Sequence, residues 1–223
     1  APGCPVAELA SAGLSTIALR VPADATAQAL IKTAGRPLAA PSANRSGRIT
    51  ATRAQHVAED LGCTVAMILD AGPTAHGLES TVVDATGESV VLLRPGAVPV
   101  EALEEVLGKE IVRTGGSALN PSSPGQLESH YAPAAMLRLD ATGVRPGEAL
   151  LAFGEKLPAT AGPVRNLSAT GDLVEAAANL FSHLRELDSS GAASIAVMPI
   201  PPHGLGEAIN DRLRRAAAPR PIG

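Results

Sequence analysis

The sequence is almost without aromatic side chains, because Tyr131, Phe153 and Phe181 are the only ones among 223 residues. Proteins that bind single-stranded nucleic acid stack bases on aromatic side chains, and this chain cannot build such a platform. The formal net charge of −4 does not indicate a broad nucleic-acid footprint either, although it leaves a local basic patch open. The core must be filled by small aliphatic residues, and a hydrophobic content of 45% is sufficient for that.

The features of secreted and membrane-spanning proteins are also missing. Two cysteines, Cys4 and Cys63, give neither a disulfide framework nor the spacing of a zinc site. No apolar run is long enough to cross a bilayer, and the N-terminus lacks the charged-then-apolar layout of a signal peptide. We therefore expect a cytoplasmic protein that makes no membrane contact and has no metal ligands of its own.

Several common enzyme motifs are absent as well. The sequence contains no Gly-x-x-x-x-Gly-Lys-Ser/Thr phosphate loop, no His-Glu-x-x-His pair and no Gly-x-Ser-x-Gly elbow. These absences argue against a nucleotide enzyme of the P-loop type.

What the sequence does contain is an alternation of strand and helix patterns, which is typical of α/β folds. We predict strands at 15–22, 37–44, 65–72, 80–86, 89–96, 148–154 and 193–201. We predict helices at 24–35, 50–62, 99–108, 171–191 and 204–217. Asp24 is placed to cap the first helix and Gly35 to end it. Residues 113–133 are rich in Gly, Ser, Pro and Asn, which is the composition of a linker or an ordered active-site loop.

Polar residues stand at the ends of the predicted strands, where open α/β sheets bind their ligands. They are Arg20, Ser42, Asn44, Ser80, Thr81 and Arg94. Each also has an ordinary interpretation. Ser42 and Asn44 can bond to the backbone of their own turn, Ser80 can simply begin a strand, and Arg94 can form a surface ion pair.

Four segments in order resemble the Sua5/YrdC/YwlC family of threonylcarbamoyl-AMP synthases: "APSANRSGRIT", "ILDAGPTAHGLESTVVD", "VVLLRPG" and "SPGQLESHYAP". "GLGEAINDRLRRAA" resembles the last helix of the second domain in Sua5-type members. The resemblance covers nearly the whole chain and implies an α/β fold in two domains. It places half of a YrdC-like domain, with a twisted mixed sheet, at 1–112, a linker or lid at 113–133, and a smaller Rossmann-like domain at 134–223.

The activity that the resemblance implies is that of a nucleotidyltransferase. ATP, L-threonine and bicarbonate give threonylcarbamoyl-AMP and pyrophosphate, and the product serves the N6-threonylcarbamoyl modification of adenosine 37 in tRNA. Mg²⁺ is expected to accompany ATP. The product is expected to pass to the machinery that modifies tRNA, and a weak direct contact with tRNA is left open.

The resemblance also implies which residues form the site. On the threonine side they are Arg20, the backbone of Ala40, and Ser80. On the ATP side they are Thr16, Ser42, Asn44, Thr50, Arg94 and Tyr131. Guanidinium groups bind carboxylate and phosphate through paired hydrogen bonds, and small hydroxyls and amides fix the amino acid and ribose. No residue is identified as a covalent or acid–base catalyst.

One departure from the family pattern limits the expected activity. The Lys-x-Arg motif that clamps the triphosphate in the family does not occur in this chain. We therefore expect that the N-terminal half of the catalytic domain is absent and that residues 1–223 alone do not complete the reaction. Two alternatives remain: another carbamoyl-adenylate enzyme of the YrdC type, against which the "HYAP" segment argues, and a non-catalytic RNA-binding module.

Overall fold

Two separate sheets organise the chain in the computed structural model, which describes residues 6–11, 13–113 and 129–219. The first sheet has the order β1-β2-β3 and consists of β1 (Val82–Asp84), β2 (Val91–Arg94) and β3 (Val112–Arg113). Strands β1 and β2 are antiparallel, with an irregularity between Val82 and Val83, whereas β2 and β3 are parallel. The predicted partial mixed sheet is therefore confirmed.

The second sheet is entirely parallel and has the order β4-β7-β5-β6. Its strands are β4 (Met136–Arg138), β5 (Glu148–Ala152), β6 (Val164–Asn166) and β7 (Ser194–Val197). All five residues of β5 are buried, as expected for a central strand covered on both faces. This sheet and its helices form the smaller α/β domain that the sequence predicted.

Among the described residues, five helices connect and cover the strands: α1 (Ala25–Ala34), α2 (Ala54–Leu61), α3 (Val100–Leu107), α4 (Leu173–Asp188) and α5 (Leu205–Ala217). Short 3-10 turns occur at Glu8–Ser11 and Gly62–Thr64. The predicted ends of α1 are confirmed, because the Asp24 carboxylate accepts from the amide of Ala27 at 2.8 Å and Gly35 follows in the left-handed conformation.

The main core lies between the parallel sheet and helices α4 and α5. It contains Phe181 from α4, Ile209 from α5 and Ile195 from β7, each with no exposed surface. Ile49 and Leu78, from the first half of the chain, belong to the same cluster. The two halves are therefore joined by shared hydrophobic packing, which stabilises one arrangement of the loops at their junction.

Three predicted strands are not formed. Segments 15–22, 37–44 and 65–72 are extended or irregular and belong to no sheet. A strand is defined by hydrogen bonds to a neighbour, and in the described part of the chain no strand pairs with these segments. Their apolar side chains are consequently exposed, for example 82% of Leu19 and 91% of Val21. Conversely, the short strands β3, β4 and β6 were not predicted from the sequence.

Candidate functional site

The end of β2 is tied to the neighbouring loop by Arg94. Its Nε and Nη2 donate to the carbonyl oxygen of Ser80 at 3.3 and 2.8 Å. The backbone makes a parallel connection, because the amide of Ala97 donates to the carbonyl of Glu79 at 2.9 Å. Arg94 is only 8% exposed, and burial together with the charge of Arg212 lowers its pKa from the usual value. A guanidinium stays charged at neutral pH, so a fixed positive charge lies beside Ser80.

Glu79 lies at the centre of the site. Its Oε1 accepts from the hydroxyl of Thr50 at 2.6 Å, and its Oε2 accepts from Nε of Arg212 at 2.9 Å. Burial works against the charge of this carboxylate, but Arg212 and the hydrogen bond from Thr50 outweigh it, so the pKa of Glu79 lies below its usual value. Glu79 is therefore an anion at neutral pH, and it fixes the direction of the Thr50 hydroxyl.

Arg212 reaches this site from the C-terminal domain. It lies on the inner face of α5 beside Leu213 and has no exposed surface. Besides its bond to Glu79, it donates from Nη2 to the carbonyl of Pro95 at 3.0 Å and from Nη1 to the carboxylate of Asp211 at 2.6 Å. A fully buried cation of this kind is tolerated only because carboxylates and carbonyls surround it.

Neither Glu79 nor Arg212 was predicted from the sequence, although the sequence contains a signal for one of them. Residues 205, 208, 209, 212, 213 and 216 recur at helical spacing, and all except Arg212 are apolar. An arginine on the buried face of an amphipathic helix needs a buried anion as partner. The identity of that anion depends on long-range packing, so Glu79 could not be singled out.

Asn44 structures its own turn. Its Nδ2 donates to the carbonyls of Arg45 and Arg48 at 2.8 and 3.2 Å, as the ordinary interpretation of this residue required. Its Oδ1 is buried and has no hydrogen-bond partner among the residues that the structure describes. The same turn also contacts the end of the predicted linker, because the carbonyl oxygen of Gly47 accepts a hydrogen bond from the amide of Ala132 at 2.9 Å.

Four predicted site residues lie on exposed backbone of the first half: Thr16, Arg20, Ala40 and Ser42. Within the described ranges, no hydrogen bond links their side chains to the group formed by Thr50, Glu79 and Arg94. The structure thus brings together three predicted residues, Thr50, Ser80 and Arg94. The roles of the exposed four stay predictions.

Tyr131 is buried at the junction of the two halves. Only 1% of it is exposed, and its ring centroid lies 5.5 Å from that of Phe181. The guanidinium carbon of Arg212 lies 5.2 Å from the ring centroid, and His130 contacts the ring edge-on. Tyr131 has a φ of 63°, and burial raises the pKa of its phenol. Its predicted role in ATP binding stays a prediction, and most of the predicted linker, 114–128, lies outside the described residues.

Two further properties concern metals and membranes. The described residues contain no cluster of three His, Cys, Asp or Glu side chains that could hold a metal ion. None of the helices in these ranges is both long and apolar enough to span a bilayer.

The sequence is similar to family models and to curated proteins. Two family models match: "Threonylcarbamoyl-AMP synthase, C-terminal domain" over residues 98–218, and "Telomere recombination", the Sua5/YciO/YrdC model, over residues 3–96. The threonylcarbamoyl-AMP synthase of Bacillus subtilis is 39% identical over 95% of this chain, and that of Pyrococcus abyssi is 38% identical over 97%. The chain belongs to the Sua5 family. It spans about two thirds of its relatives' length, 66% and 68% respectively.

Solved Sua5 structures share the fold. Pyrococcus abyssi Sua5 complexed with L-threonine superposes with a TM-score of 0.85 at 37% identity, covering 95% of this chain and 67% of that one. A variant of the same Sua5, with a histidine and a tyrosine replaced by alanine, gives a TM-score of 0.83 at 35% identity over 95% of this chain and 66% of that one. The arrangement of both sheets described above is therefore that of Sua5 proteins.

Proposed function

We propose that this chain carries part of the active site of an L-threonylcarbamoyladenylate synthase. The observation that carries the proposal is the similarity, over 95% of the chain, to a Sua5 structure complexed with L-threonine. In the proposed reaction, the threonine amine and bicarbonate give a carbamate and water. A carbamate oxygen then attacks the α-phosphate of ATP, and pyrophosphate leaves.

Most of the catalytic work in such a reaction is positioning and charge stabilisation. The fixed guanidinium of Arg94 is suited to an anionic oxygen of the nucleotide, and the hydroxyls of Ser80 and Thr50 to polar groups of threonine and ATP. Arg94 already donates to the Ser80 carbonyl, so the two proposed subsites are held in register by one hydrogen-bonded unit. The hydroxyl of Thr50 donates a hydrogen bond to the Glu79 carboxylate, so the hydroxyl oxygen of Thr50 can still accept a hydrogen bond from a substrate.

The remaining substrate contacts are proposed from the family resemblance. Arg20 and the Ala40 backbone would hold threonine, whereas Thr16, Ser42, Asn44 and Tyr131 would line the nucleotide. Mg²⁺ would enter with ATP. In proteins this ion is usually bound by one or two carboxylates, substrate phosphates and several waters rather than by a dedicated protein cage.

The proposal includes the fate of the product and the need for a further segment. The product would be handed to the machinery that modifies adenosine 37 of tRNA. Because no Lys-x-Arg occurs in this chain, we propose that residues 1–223 release little pyrophosphate alone. Activity should appear in an extended chain, defined as this sequence fused behind the N-terminal region of the Bacillus subtilis relative, where the resemblance places that motif.

The test is threonine-dependent and bicarbonate-dependent release of pyrophosphate from ATP, measured for the 223-residue chain and for the extended chain. We expect activity in the extended chain that disappears when threonine is omitted. A folded extended chain that releases no pyrophosphate but binds tRNA with a steep salt dependence would overturn the proposal in favour of an RNA-binding module. If residues 1–223 release pyrophosphate as fast as the extended chain, the Lys-x-Arg motif is not needed for the reaction.

A further inference from the structure

We propose that Arg212, a residue of the C-terminal domain, is a positioning residue for the catalytic half. It holds the two loops that carry Ser80 and Arg94 in the geometry that the synthase reaction needs. This inference rests on the proposed function and gives the C-terminal domain a specific part in it.

The first support is that Arg212 contacts both loops at once. Its Nε donates to the Glu79 carboxylate at 2.9 Å, directly before Ser80 in sequence. Its Nη2 donates to the carbonyl of Pro95 at 3.0 Å, directly after Arg94. A single rigid guanidinium therefore spans the two loops, and its planar fork permits little variation in their separation.

The second support is that the loops fit against each other with no spare room. A Cβ built on Gly96 would lie 2.3 Å from the amide nitrogen of Thr81 and 2.4 Å from the carbonyl oxygen of Glu79. In addition, the amide of Ala97 donates to that same carbonyl at 2.9 Å. Any movement of Glu79 or Pro95 would therefore displace the proposed substrate-binding loop as well.

The third support is the balance of charge. Glu79 is the carboxylate that accepts from both Thr50 and Arg212, and Arg94 lies near enough that the charge of Arg212 affects its pKa. If the cation at 212 were removed, Glu79 would be left buried without its ionic partner. Arg94 is a second cation that the charge of Glu79 reaches, and a shift of Arg94 toward Glu79 would withdraw its guanidinium from the Ser80 carbonyl.

A competing interpretation is that Arg212 only fastens the two halves together. The structure offers a control for this, because Arg185 of α4 pairs with Asp60 of α2 at 2.6 Å across the same junction. Both partners are mostly buried, with side-chain exposures of 16% and 14%. Asp60 contacts none of Glu79, Ser80 and Arg94. Its partner Arg185 also donates to the backbone carbonyls of Ile49 and Thr50, and Asp60→Asn keeps the guanidinium that makes these two bonds. Asp60→Asn therefore weakens the ion pair across the junction and leaves the bonds of Arg212 in place.

The first experiment is amide hydrogen exchange on the 223-residue chain as it stands. The Ala97 amide reports the bond between the two loops. We expect Arg212→Met to accelerate its exchange about tenfold or more beyond any change in amides of the central strand β5, which carries neither Arg212 nor Arg185, whereas Asp60→Asn leaves the ratio of these rates unchanged. Arg212→Lys, which keeps the charge but not the fork, should fall between them. Equal ratios in Arg212→Met and wild type would overturn the proposal.

The second experiment measures kinetics in the extended chain. We expect Arg212→Met to raise KM for threonine or lower kcat by about tenfold or more, and Asp60→Asn to change either by less than about threefold. The double variant Arg212→Met/Glu79→Gln removes both buried charges. We expect its melting temperature to return toward that of the wild type, while its kcat and KM stay as impaired as in Arg212→Met. If the double variant regains both the melting temperature and the kinetic constants of the wild type, Arg212 has only a structural role. If the wild-type extended chain releases no pyrophosphate, the proposed function is wrong. If it releases pyrophosphate and Arg212→Met leaves kcat and KM unchanged, only the inference about Arg212 is wrong.

Discussion

The backbone of Gly77 lies directly against the backbone of Ala177, so that a Cβ on Gly77 would stand 2.2 Å from the Ala177 carbonyl oxygen. Gly77 belongs to the first half of the chain and Ala177 to helix α4, and the φ of Gly77 is +65°. The two halves therefore approach each other through main-chain atoms at this point, where no side chain can be inserted.

Gly77→Ala is expected to lower the free energy of unfolding by about 2–4 kcal/mol, since overpacking adds to the cost of a left-handed residue. Gly108→Ala is the matched control, because Gly108 has the same φ of +65° but nothing within 4 Å of the position that a Cβ would take. It should lose only about 1 kcal/mol. Urea unfolding of both variants measures the difference, and equal losses would show that the close contact with α4 costs nothing.

Arg94→Ala in the extended chain is expected to lose about 2–4 kcal/mol of transition-state stabilisation, the range typical of one electrostatic donor. The measurement is kcat/KM for pyrophosphate release, with the melting temperature recorded in parallel because Arg94 is buried. Arg145→Ala is the control, since Arg145 is exposed and lies in the C-terminal domain. Unchanged pyrophosphate release in folded Arg94→Ala would remove Arg94 from the site.

Glu148 should make the stability of the C-terminal domain dependent on pH. Its carboxylate accepts from Arg138 and from the amide of Arg145, and these bonds lower its pKa to about 2. Between pH 4.5 and 2 the unfolded chain binds more protons at this position than the folded one, so its stabilising effect is complete above that window and is lost as the pH falls through it.

We therefore expect the wild type to be more stable than Glu148→Gln at pH 6 by an amount on the order of 2–3 kcal/mol, a difference that shrinks toward pH 2. Urea unfolding at a series of pH values measures it. A difference that stays constant across the acid range would contradict the assignment of the low pKa to Glu148.

Tyr131 is expected to matter chiefly through its ring. Tyr131→Ala removes a buried aromatic side chain from the contact with Phe181 and Arg212 and should cost about 3–5 kcal/mol of stability. Tyr131→Phe keeps the ring and should cost less than about 1 kcal/mol. If Tyr131→Phe leaves stability unchanged but raises KM for ATP in the extended chain, the hydroxyl contributes to nucleotide binding as the resemblance predicted.

Local features of the fold could be predicted from the sequence, and non-local ones only in part. The cap at Asp24 and the end of α1 at Gly35 were correct because they depend on a few adjacent residues. Segments 15–22 and 65–72 have the composition of strands, but a strand also needs a neighbour, and their sequence does not contain that information.

The candidate site shows the same division. Ser80 and Arg94 were predicted because each stands near one end of a recognisable strand pattern, Ser80 at a start and Arg94 before Pro95-Gly96, and the structure links them directly. Glu79 was overlooked because a carboxylate next to Ser80 has no distinctive spacing. Its importance comes from Arg212, which is 133 residues away in sequence.

The bond between Glu79 and Arg212 also constrains how this protein can evolve. Glu79 is a buried carboxylate in one half, and Arg212 in the other half neutralises it. Either charge alone would be buried at a high cost in free energy, so the two residues cannot change independently of each other. Loss of the second domain would therefore select for an uncharged residue at position 79. We expect single-domain descendants of such a chain to have exchanged that glutamate, and two-domain lineages to have kept both partners together.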